Sequence, residues 1–378
     1  MDEFDVEKIN SKELTACVYT FSKSQDNYGQ VLQYLATQEF LESQNIHSFL
    51  IRDKYNGLTR RQYIKSKIAH YIKLLWRRNR VAEAKKRFML KESRKHPRRF
   101  DDFRSKYFRI IDVGYVKKDP PHADLYIAGS DQIWNYPTYL PYLDWGDAVR
   151  MSFSTSFGKL LPDNTRLIEK IKPLLQKIDI VTVREDIGLE ICHKAGVHDA
   201  TRILDPTLLL NANDYFKYES NVNLPAQYVF LYMIGNETQF DVKVVYDFAK
   251  TKNMPVVYVA SKGWHDKFPK EYPTISEWLY IMRNASYVFT NSFHGVAFSI
   301  IYHKQFVSIP LTGRDRSTNN RVDTLLNYCH IEDKVYKGNL NVIDVPIDYA
   351  MVDNHIMDNY NYTIKFVNKA KGFVANKC

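Results

Sequence analysis

Apolar runs of strand length alternate with amphipathic stretches of helical length along most of this chain. In the first half, the sequence predicts strands at Leu14–Phe21, Ser48–Ile51, Asp124–Ala128, Met151–Ser154 and Ile178–Val183. The predicted helices of the first half are Gln30–Gln44, Thr165–Leu175 and Ile187–Lys194. Strands that alternate with helices of this length are typical of βαβ units in a mostly parallel sheet.

The same alternation returns in the second half. Strands are predicted at Tyr228–Ile234, Pro255–Val259, Ser286–Thr290 and Phe306–Ile309, and helices at Phe240–Thr251, Ile275–Asn284 and Gly295–Tyr302. Polar residues and a proline interrupt the pattern over Asn211–Pro225, which is typical of a linker. We therefore predict an α/β protein of two Rossmann-like, doubly wound domains. They span residues 1–215 and 216–378, and the second includes a C-terminal tail.

The positive charge of the chain is concentrated in one segment. The protein carries a formal charge of +10, whereas Arg60–Lys106 alone contains 18 Lys or Arg against four acidic residues, and the remaining chain is slightly acidic. We interpret residues 58–108 as a basic helical insertion in the first domain. Whatever the positive charge binds is therefore expected to contact this segment and not the whole protein surface.

Six apolar residues of the insertion recur at helical spacing and form one arc, with basic residues on the flanks. They are Ile64, Ile68, Tyr71, Ile72, Leu75 and Trp76. This pattern is typical of a helix on an anionic membrane surface. The alternatives are a helix that packs its arc on the protein body, or a nucleic-acid-binding segment. Nucleic acid is not expected, because no recognised binding module surrounds the basic run.

Other classes are disfavoured by simple sequence features. No apolar run approaches the roughly 18 residues that span a bilayer, and Met1–Asp5 lacks the features of a secretory signal, so we expect a cytoplasmic protein. The four cysteines are scattered without ligand spacing, which disfavours disulfides and structural zinc. No metal is expected.

Loops that leave strands are the places to look for ligands in doubly wound sheets. The loop Ser22–Gln30 opens a helix with Asn27 and Gly29, and free backbone N–H groups there suit a phosphate or carboxylate. An ordinary Asn cap is the alternative. The loop Gly129–Asn135 presents Asp131, Gln132 and Asn135 together, which indicates a sugar or acid site, or else a helix cap.

Three more strand exits carry charged or titratable residues. Arg184 can hold a carboxylate or phosphate bidentately, although a local ion pair with Glu185 is the alternative. Asp205, before a proline, either caps the next turn or takes part in catalysis. His294 opens a helix and can titrate near neutral pH. Its neighbours at the same exit are Asn291, Ser292 and Gly295.

Five short motifs, in this order, resemble the landmarks of the polysaccharide pyruvyl transferase family. They are Asn27–Gln33, Gly129–Asn135, Val183–Asp186, Leu204–Pro206 and Thr290–Gly295. The resemblance covers about Thr15 to Leu326 and implies a fold similar to the glycosyltransferase-B type. It also implies phosphoenolpyruvate as donor and a saccharide diol as acceptor, giving a pyruvate ketal and phosphate. No cofactor is expected beyond phosphoenolpyruvate as co-substrate.

The resemblance also implies roles for individual residues. A histidine at the position of His294 is taken as catalytic in the family, and an arginine at the position of Arg184 as a donor ligand. Some members carry arginine where Ser292 stands here, so a second cation has to come from elsewhere. Arg314, Arg316 or Arg321, after the next strand, is expected to supply it, and Arg321 is the candidate that acts with Arg184. We expect Asp131 to assist catalysis by binding a hydroxyl.

The remaining expected contacts divide between the two substrates. On the donor side they are Asn27, Gly29, Asn291, Ser292 and Gly295; on the acceptor side they are Gln132, Asn135 and Asp205. The basic insertion fits a polyprenyl-diphosphate-linked oligosaccharide acceptor and a peripheral position at the inner face of the cell membrane, in surface polysaccharide (capsule) synthesis. The rival hypotheses are a nucleotide-sugar glycosyltransferase, disfavoured because no Glu lies between His294 and Glu332, and a non-enzymatic basic adaptor.

Overall fold

The computed structural model describes residues 13–55, 57–76, 95–135, 137–234, 240–261 and 266–377. The side chains of residues 70–76, 314 and 315 lie outside this description. Four members of the predicted apolar arc, Tyr71, Ile72, Leu75 and Trp76, therefore have side chains outside the described residues. The run 77–94 of the basic insertion also lies outside them.

The first half is built on a five-stranded parallel sheet. Its strands are β1 (Leu14–Tyr19), β2 (Ile46–Asp53), β3 (Ile110–Val113), β4 (Leu125–Ala128) and β5 (Val149–Ser152). Their spatial order, β3-β2-β1-β4-β5, is that of a doubly wound Rossmann half. The prediction missed β3, a partly exposed strand of four residues at the sheet edge.

The helices of the first half include those that the apolar periodicity predicts, together with a short helix near the end of the basic insertion. They are α1 (Tyr28–Ser43), α2 (Arg60–Trp76), α3 (Phe100–Tyr107), α4 (Thr165–Leu175) and α5 (Asp186–Lys194). Only two residues of the predicted strand Ile178–Val183 pair regularly. They form β6 (Thr182–Val183), which pairs with β7 (Thr201–Arg202), while Ile180 makes a single bridge to Met151.

The second half repeats the architecture with a four-stranded parallel sheet. Its strands are β8 (Val229–Tyr232), β9 (Val256–Val259), β10 (Tyr287–Thr290) and β11 (Gln305–Ser308), in the order β11-β10-β8-β9. Its helices are α6 (Ala212–Phe216), α7 (Lys243–Thr251), α8 (Ile275–Asn284), α9 (Phe293–Ile301) and α10 (Asn320–Tyr328). The prediction of two doubly wound halves is confirmed.

The C-terminal segment is a helix of 29 residues, α11 (Tyr349–Lys377), which the sequence analysis treated only as a tail. It returns to the first half, where Asn359 Oδ1 accepts a hydrogen bond of 2.9 Å from the Leu204 N–H. Tyr360 also packs edge-on against Phe40 of α1, with ring centroids 5.5 Å apart. The chain therefore ties its two halves together with its last helix.

One apolar core runs across the boundary between the halves. Tyr28, at the start of α1, stacks on Trp278 of α8 with ring centroids 5.3 Å apart, and its hydroxyl donates to the Pro273 carbonyl at 2.7 Å. Burial of aromatic surface makes this contact a substantial contribution to cohesion. The first turn of α1 is thereby fixed against the second half.

The basic helix α2 forms as predicted, and the first two residues of its apolar arc are exposed to solvent. Ile64 is 48% exposed and Ile68 55% exposed, so neither residue packs on the protein body. For these two residues the alternative of an arc buried against the body is wrong. Among the described residues, no helix combines the length and the apolar character that crossing a bilayer requires.

Candidate functional site

Charged residues from four strand exits meet between the two halves. Asp131 follows β4, Arg184 follows β6, Asp205 follows β7, and His294 lies in the first turn of α9 after β10. Local geometry explains these positions, because Asp205 caps the turn Pro206–Leu209 and Ser292 caps α9. Parallel strands deliver their exits to one edge of each sheet. Contacts of Arg184 and His294 with Asp205 show that these edges meet.

Asp205 is the hub of this cluster. Its Oδ2 accepts hydrogen bonds from Arg184 Nη1 and Ser130 Oγ, both at 2.7 Å, and Oδ1 accepts from the N–H and the hydroxyl of Thr207. His294 Nε2 lies 3.6 Å from the same Oδ2. Burial raises the pKa of Asp205, but His294, Arg184 and Ser130 outweigh it and hold that pKa well below the ordinary range.

Arg184 keeps unused hydrogen-bond donors inside the protein. The residue is 3% exposed, and its guanidinium carbon lies 4.5 Å from the Phe293 ring centroid. Burial lowers the pKa of Arg184, but Asp205, Glu185 and Asp131 raise it by more, so the net pKa is raised. Its Nε and Nη2 groups are buried and have no hydrogen-bond partner in the described chain. Such donors suit a carboxylate or phosphate.

Arg321 of α10 supplies a second buried guanidinium. Its Nε donates to the Thr318 carbonyl at 3.2 Å. With the Gln132 amide oxygen turned toward it, that oxygen accepts from Nη1 at 2.7 Å and Nη2 at 3.0 Å. Burial and the positive charge of Arg184 lower the pKa of Arg321 to about 10. The two cations therefore repel each other, and an anion between them would relieve this repulsion.

His294 is enclosed by the first turn of α1. A Cβ atom on Gly29 would lie 2.1 Å from His294 Nδ1, so only glycine fits at this position. On the other side of the ring, Nε2 is buried and has no hydrogen-bond partner in the described chain. Nε2 is therefore the ring atom that faces Asp205 and the remainder of the cluster.

Asp131 offers a free acceptor. Its Oδ1 accepts a hydrogen bond of 2.7 Å from the Gln132 N–H, whereas Oδ2 is buried and finds no donor among the described residues. An unsatisfied buried carboxylate oxygen is energetically unfavourable, and a ligand hydroxyl would satisfy it.

Several predicted contact residues instead hold the loops in shape. Asn27 caps α1 by accepting from the Gln30 N–H, and Ser292 accepts from the Gly295 N–H. Asn291 bonds both backbone polar groups of Ile234. These side chains support the loops through hydrogen bonds within the protein, and their contacts with the donor stay predictions.

Asn135, Gly295 and Asp205, three further predicted contact residues, also make close contacts within the protein. Asn135 donates to the Gln132 carbonyl and accepts from the Lys159 N–H. A Cβ on Gly295 would lie 2.3 Å from Thr290 Oγ1, so this glycine allows close packing of helix on strand. The Asp205 carboxylate already accepts four hydrogen bonds from the protein, and its contact with the acceptor stays a prediction. The side chain of Arg314 lies outside the described residues.

Glu185 is a member of the cluster that the sequence analysis treated only as an ion-pair partner of Arg184. Its Oε1 accepts from Ser156 Oγ at 2.8 Å and from the Phe157 N–H at 2.9 Å, while Oε2 lies 3.8 Å from Arg184 Nε. Burial raises its pKa, against the opposing effect of Arg184 and Arg321. The sequence signal that could have identified Glu185 as a site residue is its position next to Arg184 at a strand exit.

The cluster is closed to solvent. Arg184, Asp205, His294 and Arg321 are between 1% and 7% exposed. The cluster contains more carboxyl groups than guanidinium groups, so its net charge does not favour an anion. An anion would instead be bound by the unpartnered N–H groups of Arg184. In the described ranges, no three His, Cys, Asp or Glu side chains are grouped as a metal ion would need.

Fold and site together define an α/β protein of two doubly wound halves with a buried His–Asp–Arg cluster between them. The family model for polysaccharide pyruvyl transferase matches residues 27–312, and the chain belongs to this family of transferases. None of the curated proteins matches the chain.

Similar solved structures include two UDP-N-acetylglucosamine 2-epimerases. The protein from Rickettsia bellii is 10% identical, with 96% of this chain and 98% of that chain covered and a TM-score of 0.48. The protein from Methanocaldococcus jannaschii is also 10% identical, with 91% of each chain covered and a TM-score of 0.45.

Proposed function

We propose that this protein transfers the pyruvyl group of phosphoenolpyruvate to two hydroxyls of a saccharide, forming a pyruvate ketal and releasing phosphate. One observation carries the proposal: His294 from the second half and Arg184 from the first half both face the Asp205 carboxylate, at 3.6 and 2.7 Å. Arg321 faces the same cluster. A proton donor and two cations are what a phosphorylated enol acid requires.

The chemistry assigns a task to each group. Protonation of the phosphoenolpyruvate methylene carbon by His294 makes the central carbon an oxocarbenium-like electrophile. One sugar hydroxyl adds to this carbon, the carbon–oxygen bond to phosphate breaks, and the second hydroxyl closes the ketal. Of the two hydroxyl protons, one restores His294 and the other leaves with hydrogen phosphate. Arg184 and Arg321 bind the carboxylate and phosphate, and Asp131 Oδ2 accepts from a sugar hydroxyl.

Asp205 is a positioning residue in this scheme. Its single oxygen Oδ2 faces His294 and bonds Arg184, so it sets the distance between the proton donor and the donor-binding cation. Because its pKa lies well below the ordinary range, it stays ionised and stabilises the protonated imidazole. A small displacement of Asp205 would therefore affect both protonation and donor binding.

Access to the cluster requires movement of the two halves. Arg184, Asp205, His294 and Arg321 are only 1% to 7% exposed in the closed arrangement, so substrates have to enter by another arrangement of the halves. Opening between the halves would expose Arg184 and His294 together, because they belong to opposite sides. Closure would then exclude water from the electrophilic intermediate.

The basic helix α2 supports a membrane-associated acceptor. Ile64 and Ile68 are exposed on a helix rich in Lys and Arg, a combination that binds anionic lipid surfaces. A polyprenyl-diphosphate-linked oligosaccharide at the inner face of the membrane would meet the enzyme there. Deletion of residues 60–99 tests this step, and unchanged binding to anionic vesicles would contradict it.

The decisive experiment incubates the protein with phosphoenolpyruvate and candidate lipid-linked glycans and measures mass. The expected product gains one pyruvyl ketal, with one phosphate released for each transfer. A thermal-shift comparison of phosphoenolpyruvate with uridine-diphosphate sugars accompanies it. Stabilisation by the nucleotide sugars alone would favour a glycosyltransferase. Stabilisation by neither, together with salt-sensitive nucleic-acid binding, would favour an adaptor.

A further inference from the structure

A pocket of about 370 Å³ opens where β1 and β2 end, next to the buried cluster. Its lining residues are Tyr19, Thr20, Phe21, Ser22, Lys23, Ser24, Gln30 and Asp53. A volume of this size lies at the small end of known ligand pockets and suits a single sugar ring. None of these residues belongs to the cluster around Asp205.

The pocket and the cluster share two walls. Gln30 directly follows Gly29, whose backbone packs on the His294 ring. Thr20 contacts Gly129, since a Cβ there would lie 3.0 Å from the Thr20 Cβ, and Gly129 leads into Asp131. The pocket therefore adjoins the imidazole across the first turn of α1 and the Asp131 loop across Thr20.

The lining has the mixed character that carbohydrate requires. Phe21 is 41% exposed and presents an aromatic face, on which the C–H face of a pyranose can pack. Among the described residues, nothing hydrogen-bonds the side-chain amide of Gln30, so its donors and acceptor are available to sugar hydroxyls. The Asp53 carboxylate is already bound by the N–H groups of Tyr55 and Gly57, so it shapes the wall.

Both sides of the pocket are attached to the basic insertion. Beyond Asp53, β2 leads into α2, which carries the exposed Ile64 and Ile68. On the opposite side, the end of the insertion holds the loop after β1. Arg98 Nη1 donates to the Asp26 carbonyl at 3.3 Å, Gln25 Nε2 donates to Asp101 at 2.8 Å, and Arg104 donates to the Ser24 carbonyl.

We propose that this pocket holds the ring of the acceptor saccharide and that Phe21 and Gln30 recognise it. The inference rests on the proposed function for the identity of the reaction, but not for the binding itself. The pocket lies between the catalytic cluster and the insertion, so movement of the two halves would bring the hydroxyls of a sugar bound there toward His294 and Asp131. The remainder of a lipid-linked acceptor would extend along the root of the basic insertion.

The test measures binding of a panel of methyl hexosides and N-acetylhexosaminides by saturation-transfer NMR. We expect at least one glycoside to bind the wild-type protein. Phe21→Ala is expected to weaken that binding roughly three- to tenfold, as loss of one aromatic contact does. Gln30→Ala is expected to reduce it as well. Phe373→Ala is the matched control, since Phe373 is a 37% exposed aromatic on α11, and it should leave binding unchanged.

Equal binding by wild type, Phe21→Ala and Gln30→Ala would overturn the inference, and so would absence of binding by every glycoside. Thermal stabilisation by phosphoenolpyruvate distinguishes a failure of the pocket inference from a failure of the proposed function. All three variants should retain that stabilisation. If glycosides bind as expected but phosphoenolpyruvate stabilises none of the proteins, the pocket stands and the proposed reaction fails.

Discussion

The molecule uses positive charge in two opposite ways. In the cluster between the halves, Arg184 and Arg321 are buried and held by Asp205, Gln132 and the Thr318 carbonyl. In α2 the basic residues lie on an exposed helix beside apolar side chains in solvent. Buried charges interact strongly and with strict geometry, whereas exposed charges are screened over about 10 Å at ordinary salt. The cluster is suited to one small anion, and α2 to an extended charged surface.

Replacement of His294 tests the buried region most strongly. His294→Ala is expected to lower phosphate release by about 10²- to 10⁴-fold, the usual contribution of a general acid, with little change in the melting temperature. His303→Ala is the control, because His303 is an exposed histidine paired with Asp353 at 3.0 Å. Turnover close to wild type in His294→Ala would remove this residue from the mechanism.

Replacement of either buried arginine should abolish phosphoenolpyruvate binding, but the two variants should differ in the free energy of unfolding. Arg184→Met leaves Asp205 without its cation and should lower the free energy of unfolding by about 3–5 kcal/mol. Arg321→Met removes a guanidinium whose pKa is already lowered, so the change should stay within about 1 kcal/mol. Urea unfolding measures both values.

Thermal shift with phosphoenolpyruvate completes this comparison, and both variants should lose the stabilisation that the wild type gains. Arg202→Met is the matched control, because Arg202 pairs with Asp186 at 2.8 Å outside the cluster, and it should keep the shift. Retention of the full shift by Arg321→Met would show that Arg321 is not the second cation.

The strand exits were predictable from sequence because hydrophobic periodicity and the loop residues agree there. Helices α4 and α8 have the predicted bounds, and both sheets are parallel as expected. The edge strand β3 and the long helix α11 were not predicted as elements. β3 has only four residues, and the interaction of α11 with the first half is a tertiary contact that local pattern does not contain.

The contacts between site residues were less predictable from sequence than the strand exits at which these residues lie. The sequence places Arg314, Arg316 and Arg321 after β11, and it does not contain the packing of α10 that buries Arg321 against Gln132. The role of Asp205 depends on β7 pairing with β6, which brings its carboxylate to Arg184. The paired residues of β6 and β7 are 19 positions apart in the chain, and a short sequence motif does not indicate that they pair.

The exposed region should give the smallest effect. The double variant Ile64→Asp with Ile68→Asp is expected to weaken binding to vesicles containing phosphatidylserine, because each change removes an exposed apolar contact and adds a negative charge. The loss should be about tenfold or more, and it should be measured by vesicle sedimentation at low and physiological salt.

The double variant should leave phosphoenolpyruvate stabilisation and pyruvylation of a short soluble acceptor unchanged, because α2 lies outside the cluster. Met357→Asp on α11 is the control, since Met357 is 57% exposed and removed from the basic helix. Equal vesicle binding by wild type and the double variant would mean that α2 does not dock through its apolar arc. Loss of soluble-acceptor activity in the double variant would instead mean that the insertion shapes the pocket beside β1, because its end holds the loop around Ser24.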